Sequence, residues 1–167
     1  MISLKRSDAN DMDYKNLVLA LDHYLAVTDV EEHAFYAQFN KSDGIKYVIV
    51  AYDGETAVGC GAIKNFAEGV MEVKRMFVLP SARGKGVASI VLKELEDWAL
   101  QLSQKKCVLE TGAGRLDAVT LYQKNGYTLT PNYGQYQGVI NSVCFEKQLS
   151  KDLRKIVPAR RADEDSA

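Results

Sequence analysis

Cysteine is scarce in this chain, and the three that occur, Cys60, Cys107 and Cys144, lie far apart. An odd, widely spaced set offers neither a disulfide framework nor metal-ligand spacing. Each sits in a strand-like run, so they read as reduced core thiols, and no metal is expected. Long apolar runs are missing too: nothing approaches the length that spans a bilayer, and the opening MISLKRSDAND has no apolar segment of the kind a secretory signal carries. Nor is there an excess of charge of one sign, since 21 basic against 22 acidic residues leave a formal net charge of −1. That balance argues against bulk electrostatic binding to nucleic acid or to an anionic membrane, while local basic sites for a small anion remain open. A cytoplasmic protein is expected. Internal repeats and a second domain are absent as well. What is present is ordinary for a globular chain: 167 residues, 47% hydrophobic and 26% charged, enough for one core without cross-links.

The most informative stretch runs from Val70 to Leu102. Val70, Val73, Phe77, Val78 and Leu79 are strand-type residues, and Pro80 ends the run because it offers no ladder donor. Arg83-Gly84-Lys85-Gly86 follows, and from Val87 the apolar residues recur at 87, 90, 91, 95, 98 and 102, which is helical spacing. Glycines before a helix let the backbone approach a ligand and leave the first helical N–H groups free. With the helix dipole, those donors suit a phosphate or pyrophosphate. Arg83 and Lys85 add positive charge there. The alternative is an exposed basic turn that only connects two elements.

Around this stretch the order of elements is regular. Residues 2–6 suggest a first strand, and Asp8–Ala26 a helix with Leu17, Val18, Leu21 and Leu25 on one side. Thr28 and Glu31 fit a capping box, which predicts a second helix from about Asp29 to Phe39, rich in aromatics. Lys46–Tyr52 and Thr56–Lys64 read as strands joined at Asp53-Gly54, and a turn at Asn65–Gly69 leads into Val70–Val78. After the long helix, Lys105–Thr111 reads as a strand parallel to Val70–Val78. A helix over Arg115–Lys124, closed by Asn125-Gly126, precedes strands at Tyr127–Thr130 and Ser142–Leu149 and the loop Pro131–Asn141 between them. Residues 151–167 form a charged tail, poor in apolar groups, for which partial disorder is expected.

Two segments carry a family likeness. Arg83-Gly84-Lys85-Gly86-Val87-Ala88 matches the R-x-x-G-x-A signature of the GCN5-related N-acetyltransferases, the GNAT superfamily. Ala118-x-x-Leu121-Tyr122-x-Lys124-x-Gly126-Tyr127 resembles that superfamily's A-x-x-L-Y-x-K-x-G-F segment, and the element order fits through about Leu149. The resemblance implies a single α/β (α+β) domain over residues 1–150. Its mixed, mostly antiparallel sheet of about six to seven strands would be flanked by about four helices and would splay between Val70–Val78 and Lys105–Thr111. Acetyl-CoA would enter that gap as co-substrate. Its pantetheine arm would pair with backbone groups of Met76, Phe77 and Val78, and its pyrophosphate would rest on the amides of Arg83, Gly84, Lys85, Gly86, Val87 and Ala88. A strand with no neighbour on one side can pair an extended arm in this way.

The activity implied is acetyl transfer to a primary amine of a small molecule or peptide, by direct attack in a ternary complex. Glu72 aligns with a strand position that carries the general base in several relatives; the competing role is a surface glutamate paired with Lys74. Tyr122 matches the helix tyrosine that protonates the departing thiolate or holds its sulfur; the competing role is a core tyrosine. For the acceptor, the resemblance points to Asp22, Tyr24, His33 and Tyr36 in the first helices, and to Tyr133, Tyr136, Asn132 and Asn141 in the loop between the last strands. Asp22 or Glu72 would recognise positive charge, and a homodimer is left open. One departure is Arg115, where many relatives place the asparagine that contacts pantetheine. Two rivals stand beside this reading: a CoA-binding regulatory module without catalysis, and a dinucleotide-binding domain suggested by Gly84-x-Gly86-x-x-Ser89 with Glu110 further on.

Overall fold

Local signals set where the elements begin and end. In the computed structural model, which describes residues 1–28 and 44–150, strand β1 spans Ile2–Ser7 and helix α1 spans Met12–Thr28. The helix starts four residues later than expected because Asp8 turns the chain, accepting a bond from the Asn10 amide at 2.9 Å, and Asp11 is the cap, taking the Tyr14 amide at 3.1 Å. β2 (Tyr47–Asp53) and β3 (Thr56–Ala67) form a hairpin through Gly54-Glu55, with Gly54 at φ 62°. β3 runs three residues past the predicted end, since Asn65 keeps its place in the ladder opposite Met71. β4 is Val70–Val78, α2 Val87–Gln101, β5 Lys106–Gly112, α3 Leu116–Lys124, β6 Thr128–Thr130 and β7 Ser142–Gln148, with 3-10 turns at Pro80–Ala82 and Gly134–Tyr136.

The seven strands make one sheet in the order β1-β2-β3-β4-β5-β7-β6. Every pairing is antiparallel except β4 with β5. Alternation along the strands sends Ile49, Ile63, Met71, Val73, Leu109 and Phe145 to one face, where Val91, Leu92 and Leu95 of α2 pack on them. Val48, Val50, Cys60, Ala62 and Phe77 go to the other, under Tyr14, Leu17 and Leu21 of α1. All three cysteines are free and buried. Burial pushes the thiols of Cys60 and Cys107 up to about 12.

Three α-helices occur among the described residues, where about four were expected. The helix predicted from Asp29 to Phe39, with His33 and Tyr36, lies outside the described residues, as does the tail 151–167. No described helix is long and apolar enough to cross a membrane. The dinucleotide-binding alternative fails on topology. Its βαβ units require successive parallel strands, whereas β1 to β4 form an antiparallel meander.

Candidate active site

Two irregularities in β4 create the site. The first is a bulge: Phe77 pairs with Cys60 but Lys74 pairs with Ala62, so β4 carries one extra residue there, and Arg75 sits at φ 58°. A side chain in this left-handed region is costly and needs support. Arg75 has it: its side chain is 1% exposed, its Nη2 donates to Asp22 Oδ1 at 2.5 Å, and its carbonyl accepts the Cys60 thiol at 3.4 Å. Nothing in the residue pattern of 70–78 announces the bulge.

The second irregularity is that β4 and β5 pair only at Val70–Lys106, Met71–Cys107 and Glu72–Val108. Beyond Glu72 the strands separate and open a cleft of about 920 Å³. One lip is β4 from Val73 to Val78 with the loop Ala82–Gly86; the other is β5 from Glu110, the turn Ala113–Arg115, and Asp117, Ala118, Leu121, Tyr122 and Lys124 of α3. Met76, Phe77 and Val78 therefore lie on a strand edge inside the molecule. Part of that edge is occupied, because Arg83 Nε donates to the Val78 carbonyl at 2.9 Å.

At the outer end, Gly84 and Gly86 adopt φ 80° and 79°, and Gly86 is the cap of α2. A Cβ built on either meets nothing within 4 Å, so the backbone conformation demands glycine here and the space in front of the loop is open. Arg83 stacks over Tyr24 at 5.2 Å and over Phe77 at 5.8 Å, while Arg115 stacks over Tyr24 at 5.4 Å. Two cations from opposite lips thus share one aromatic ring. Free amides, a helix N-terminus and these cations fit a pyrophosphate, and the strand edge fits an extended, amide-bearing arm.

At the inner end, Glu72 is 4% exposed rather than on the surface. Tyr133 donates its hydroxyl to Glu72 Oε2 at 2.6 Å, and Lys74 Nζ stands 4.0 Å from Oε1. Burial raises the Tyr133 phenol well above its ordinary value, and the Glu72 charge adds to this. Burial lowers Lys74 despite the nearby Glu72. Glu110, from β5, accepts the Ser142 hydroxyl at 2.6 Å. Tyr136 is buried and lines the cleft. Tyr122 also lines it; burial, then Glu110 and Asp117, push its phenol upward.

The sequence-predicted residues are thus gathered unevenly. Glu72, Tyr24, Met76, Phe77, Val78, Arg83, Gly84, Gly86, Val87, Ala88, Tyr122 and Tyr136 line one cleft. Tyr133 reaches it through Glu72. Asp22, expected to recognise positive charge on an acceptor, is instead engaged by Arg75 and is not among the lining residues. Two residues named from the sequence but not counted as site residues line it as well: Lys74, there only a partner for Glu72, and Arg115, there a departure from the family pattern. For Lys74 a signal existed: a lysine two places from a glutamate on a strand shares its face. Among the described residues no cluster of His, Cys, Asp or Glu could hold a metal.

A polar brace behind the cleft joins its two helices. Asn125, at the end of α3, donates to Ser89 Oγ in the first turn of α2 at 3.1 Å and to the Leu121 carbonyl at 2.8 Å. Lys147 Nζ then bonds both the Asn125 carbonyl and the buried Glu96, each at 2.8 Å.

Comparison with known proteins gives a consistent picture. The family described as "Acetyltransferase (GNAT) family" matches residues 17–127. An "IAA acetyltransferase" of Azospirillum brasilense is 35% identical over 136 residues, covering 80% of this chain and 88% of the relative. Among solved structures, a provisionally named acyl-CoA N-acyltransferase of Klebsiella pneumoniae superposes with a TM-score of 0.76 at 29% identity, covering 90% of this chain and 99% of its own. The PaiA N-acetyltransferase of Thermoplasma acidophilum, solved with coenzyme A, shares the fold at a TM-score of 0.65 and 17% identity, over 89% of this chain and 99% of that one.

Proposed function

Because the chain belongs to the acetyltransferase (GNAT) family, we propose that it moves the acetyl group of acetyl-CoA onto a primary amine of a small molecule or peptide, by direct attack in a ternary complex. The observation that carries this reading is the parting of β4 and β5 beyond Glu72. It leaves an inward strand edge, a glycine cradle and a buried tyrosine along one cleft. When bound, acetyl-CoA supplies an activated acetyl thioester.

The chain's own groups divide the remaining work. Arg83, Gly84, Lys85, Gly86, Val87 and Ala88 hold the pyrophosphate with amides and charge. Backbone groups of Met76, Phe77 and Val78 align the pantetheine arm, for which Arg83 must first release the Val78 carbonyl. A backbone N–H at Phe77 or Val78 polarises the carbonyl. Glu72, fixed by Tyr133, takes the proton that the amine sheds, directly or through water. Tyr122 keeps its proton at neutral pH and delivers it to the departing sulfur.

The test combines calorimetric titration with acetyl-CoA and thiol release over a panel of amines. Wild-type protein is expected to bind acetyl-CoA and release thiol with at least one amine. Glu72→Gln is expected to keep acetyl-CoA affinity and lose turnover. Binding without thiol release from any amine would leave only the regulatory-module alternative, and absence of binding would end both.

A further inference from the structure

We propose that Asp22 of α1 is a positioning residue: through Arg75 it holds the β4 bulge, and with it the aim of the Met76–Val78 edge at the thioester. The inference rests on the transferase reading above and adds a residue to that same site. It replaces the role expected for Asp22 from the sequence, recognition of positive charge on the acceptor.

The ladder between β3 and β4 loses step between the pairs Ala62–Lys74 and Cys60–Phe77, so Arg75 and Met76 stand opposite Gly61 alone. Every donor and acceptor from Met76 to Val78 takes its direction from this step. Keeping the step is costly, since Arg75 holds φ 58°, a region that a non-glycine residue enters only with support. Gly61 permits the step by leaving room for Met76: a Cβ there would collide with Met76 Sδ and crowd Val91 and Leu95. The Cys60 thiol donates to the Arg75 carbonyl at 3.4 Å, which is a weak bond.

The stronger anchor is the guanidinium. The Arg75 side chain is 1% exposed, and its Nη2 donates to Asp22 Oδ1 at 2.5 Å. Its Nε is buried with no hydrogen-bond partner. Among the described residues, Asp22 is the one carboxylate paired with this charge. Without Asp22 the guanidinium is a buried, unpaired cation, and relaxation of the bulge is its way to water. Such relaxation re-aims the backbone groups that follow. Asp22 itself stays out of the cleft: Leu21, Tyr24 and Leu25 of the same helix line it, and Asp22 does not.

The experiment measures thiol release and calorimetric acetyl-CoA binding on the full chain. Asp22→Ala is expected to lower kcat about 10–100-fold, as misplaced reacting groups do, with the amine KM within about threefold of wild type. Acetyl-CoA affinity is expected to fall about 3–10-fold, the worth of one ordinary hydrogen bond. Asp22→Asn, whose amide oxygen still accepts the Arg75 bond, is expected to recover part of both losses. Arg75→Gly adopts the left-handed conformation freely and carries no charge to anchor. In that background Asp22→Ala is expected to change kcat by less than about twofold. An equal loss in both backgrounds, a raised amine KM with kcat kept, or no loss at all overturns the inference. If Arg75→Gly does not fold, the recovery in Asp22→Asn decides, and a kcat no better than that of Asp22→Ala overturns it. If Asp22→Ala does not fold, Asp22→Asn is compared with wild type: reduced kcat at unchanged amine KM supports the inference, and any other result overturns it. If no amine releases thiol although acetyl-CoA binds, the transferase reading falls separately. Acetyl-CoA affinity then decides here: loss in Asp22→Ala that vanishes beside Arg75→Gly supports the inference, and unchanged or absent binding overturns it.

Discussion

Replacing Tyr122 by phenylalanine isolates one hydroxyl. The ring is 7% exposed and packs against Tyr127 at 5.8 Å and Phe145 at 6.5 Å between centroids, contacts that phenylalanine retains. Loss of the hydroxyl removes at most one ordinary hydrogen bond, about 1 kcal/mol of stability, or about 2–4 °C in Tm for a chain of this size. The effect on turnover is expected to be larger. A positioned general acid contributes about 10²–10⁴-fold, and the best donors have pKa values near the working pH. Burial, Glu110 and Asp117 hold this phenol above its ordinary 10.0, so it keeps its proton at neutral pH but gives it up less readily. The lower half of that range follows, a fall in kcat of about 10²–10³-fold, or roughly 2.7–4 kcal/mol at 1.36 kcal/mol per decade. Thiol release at saturating acetyl-CoA and amine, run beside thermal unfolding, separates the two effects. A kcat within about threefold of wild type at every pH would remove Tyr122 from the chemistry.

Other consequences can be measured on the same protein. Gly86→Ala forces a left-handed alanine at φ 79° and puts a methyl into the open space before the loop. Gly54→Ala strains a hairpin at φ 62° remote from the cleft. Both are expected to lose about 1–2 kcal/mol in denaturant unfolding, but only Gly86→Ala should weaken CoA binding in calorimetry. Lys147→Met strands the buried Glu96 carboxylate and frees the Asn125 carbonyl. Because Lys147 is itself 28% exposed, the cost is expected near about 1–3 kcal/mol rather than the full value for a buried pair, and an unchanged Tm would show the brace to be idle. Cys60 and Cys107, raised to about 12 by burial, should resist alkylation at neutral pH until denaturant is added. Rapid labelling of the native protein would contradict that burial.

Elements driven by local pattern were legible in the sequence, whereas features set by distant partners were not. The 87, 91, 95 spacing gave α2 its buried side, and Gly126, at φ 89°, ends α3 as a cap, with the Tyr127 amide reaching back to the Tyr122 carbonyl at 3.0 Å. β6 was harder: Tyr127, predicted as its first residue, is 2% exposed and packs against Tyr122, leaving three residues in the ladder. The bulge at Arg75 escaped because its causes, Asp22 and Cys60, are remote in sequence. The glycine loop and Tyr122 announced themselves by motif. Lys74 and Arg115 were named, but their place in the cleft was not, since it depends on the parting of β4 and β5 and, for Arg115, on the Tyr24 ring of α1.

The inward strand edge on β4 also has a bearing on solubility. An unpaired edge on the outside of a sheet is a template on which another chain can add a strand, and long apolar edges promote aggregation. Here the unpaired amides and carbonyls from Val73 to Val78 face the opposite lip of their own molecule, and the Arg83 guanidinium caps the Val78 carbonyl. A slender, extended molecule can lie along that edge as a substitute strand. The protein therefore keeps a strand's worth of hydrogen-bonding capacity in reserve without offering it to other copies of itself.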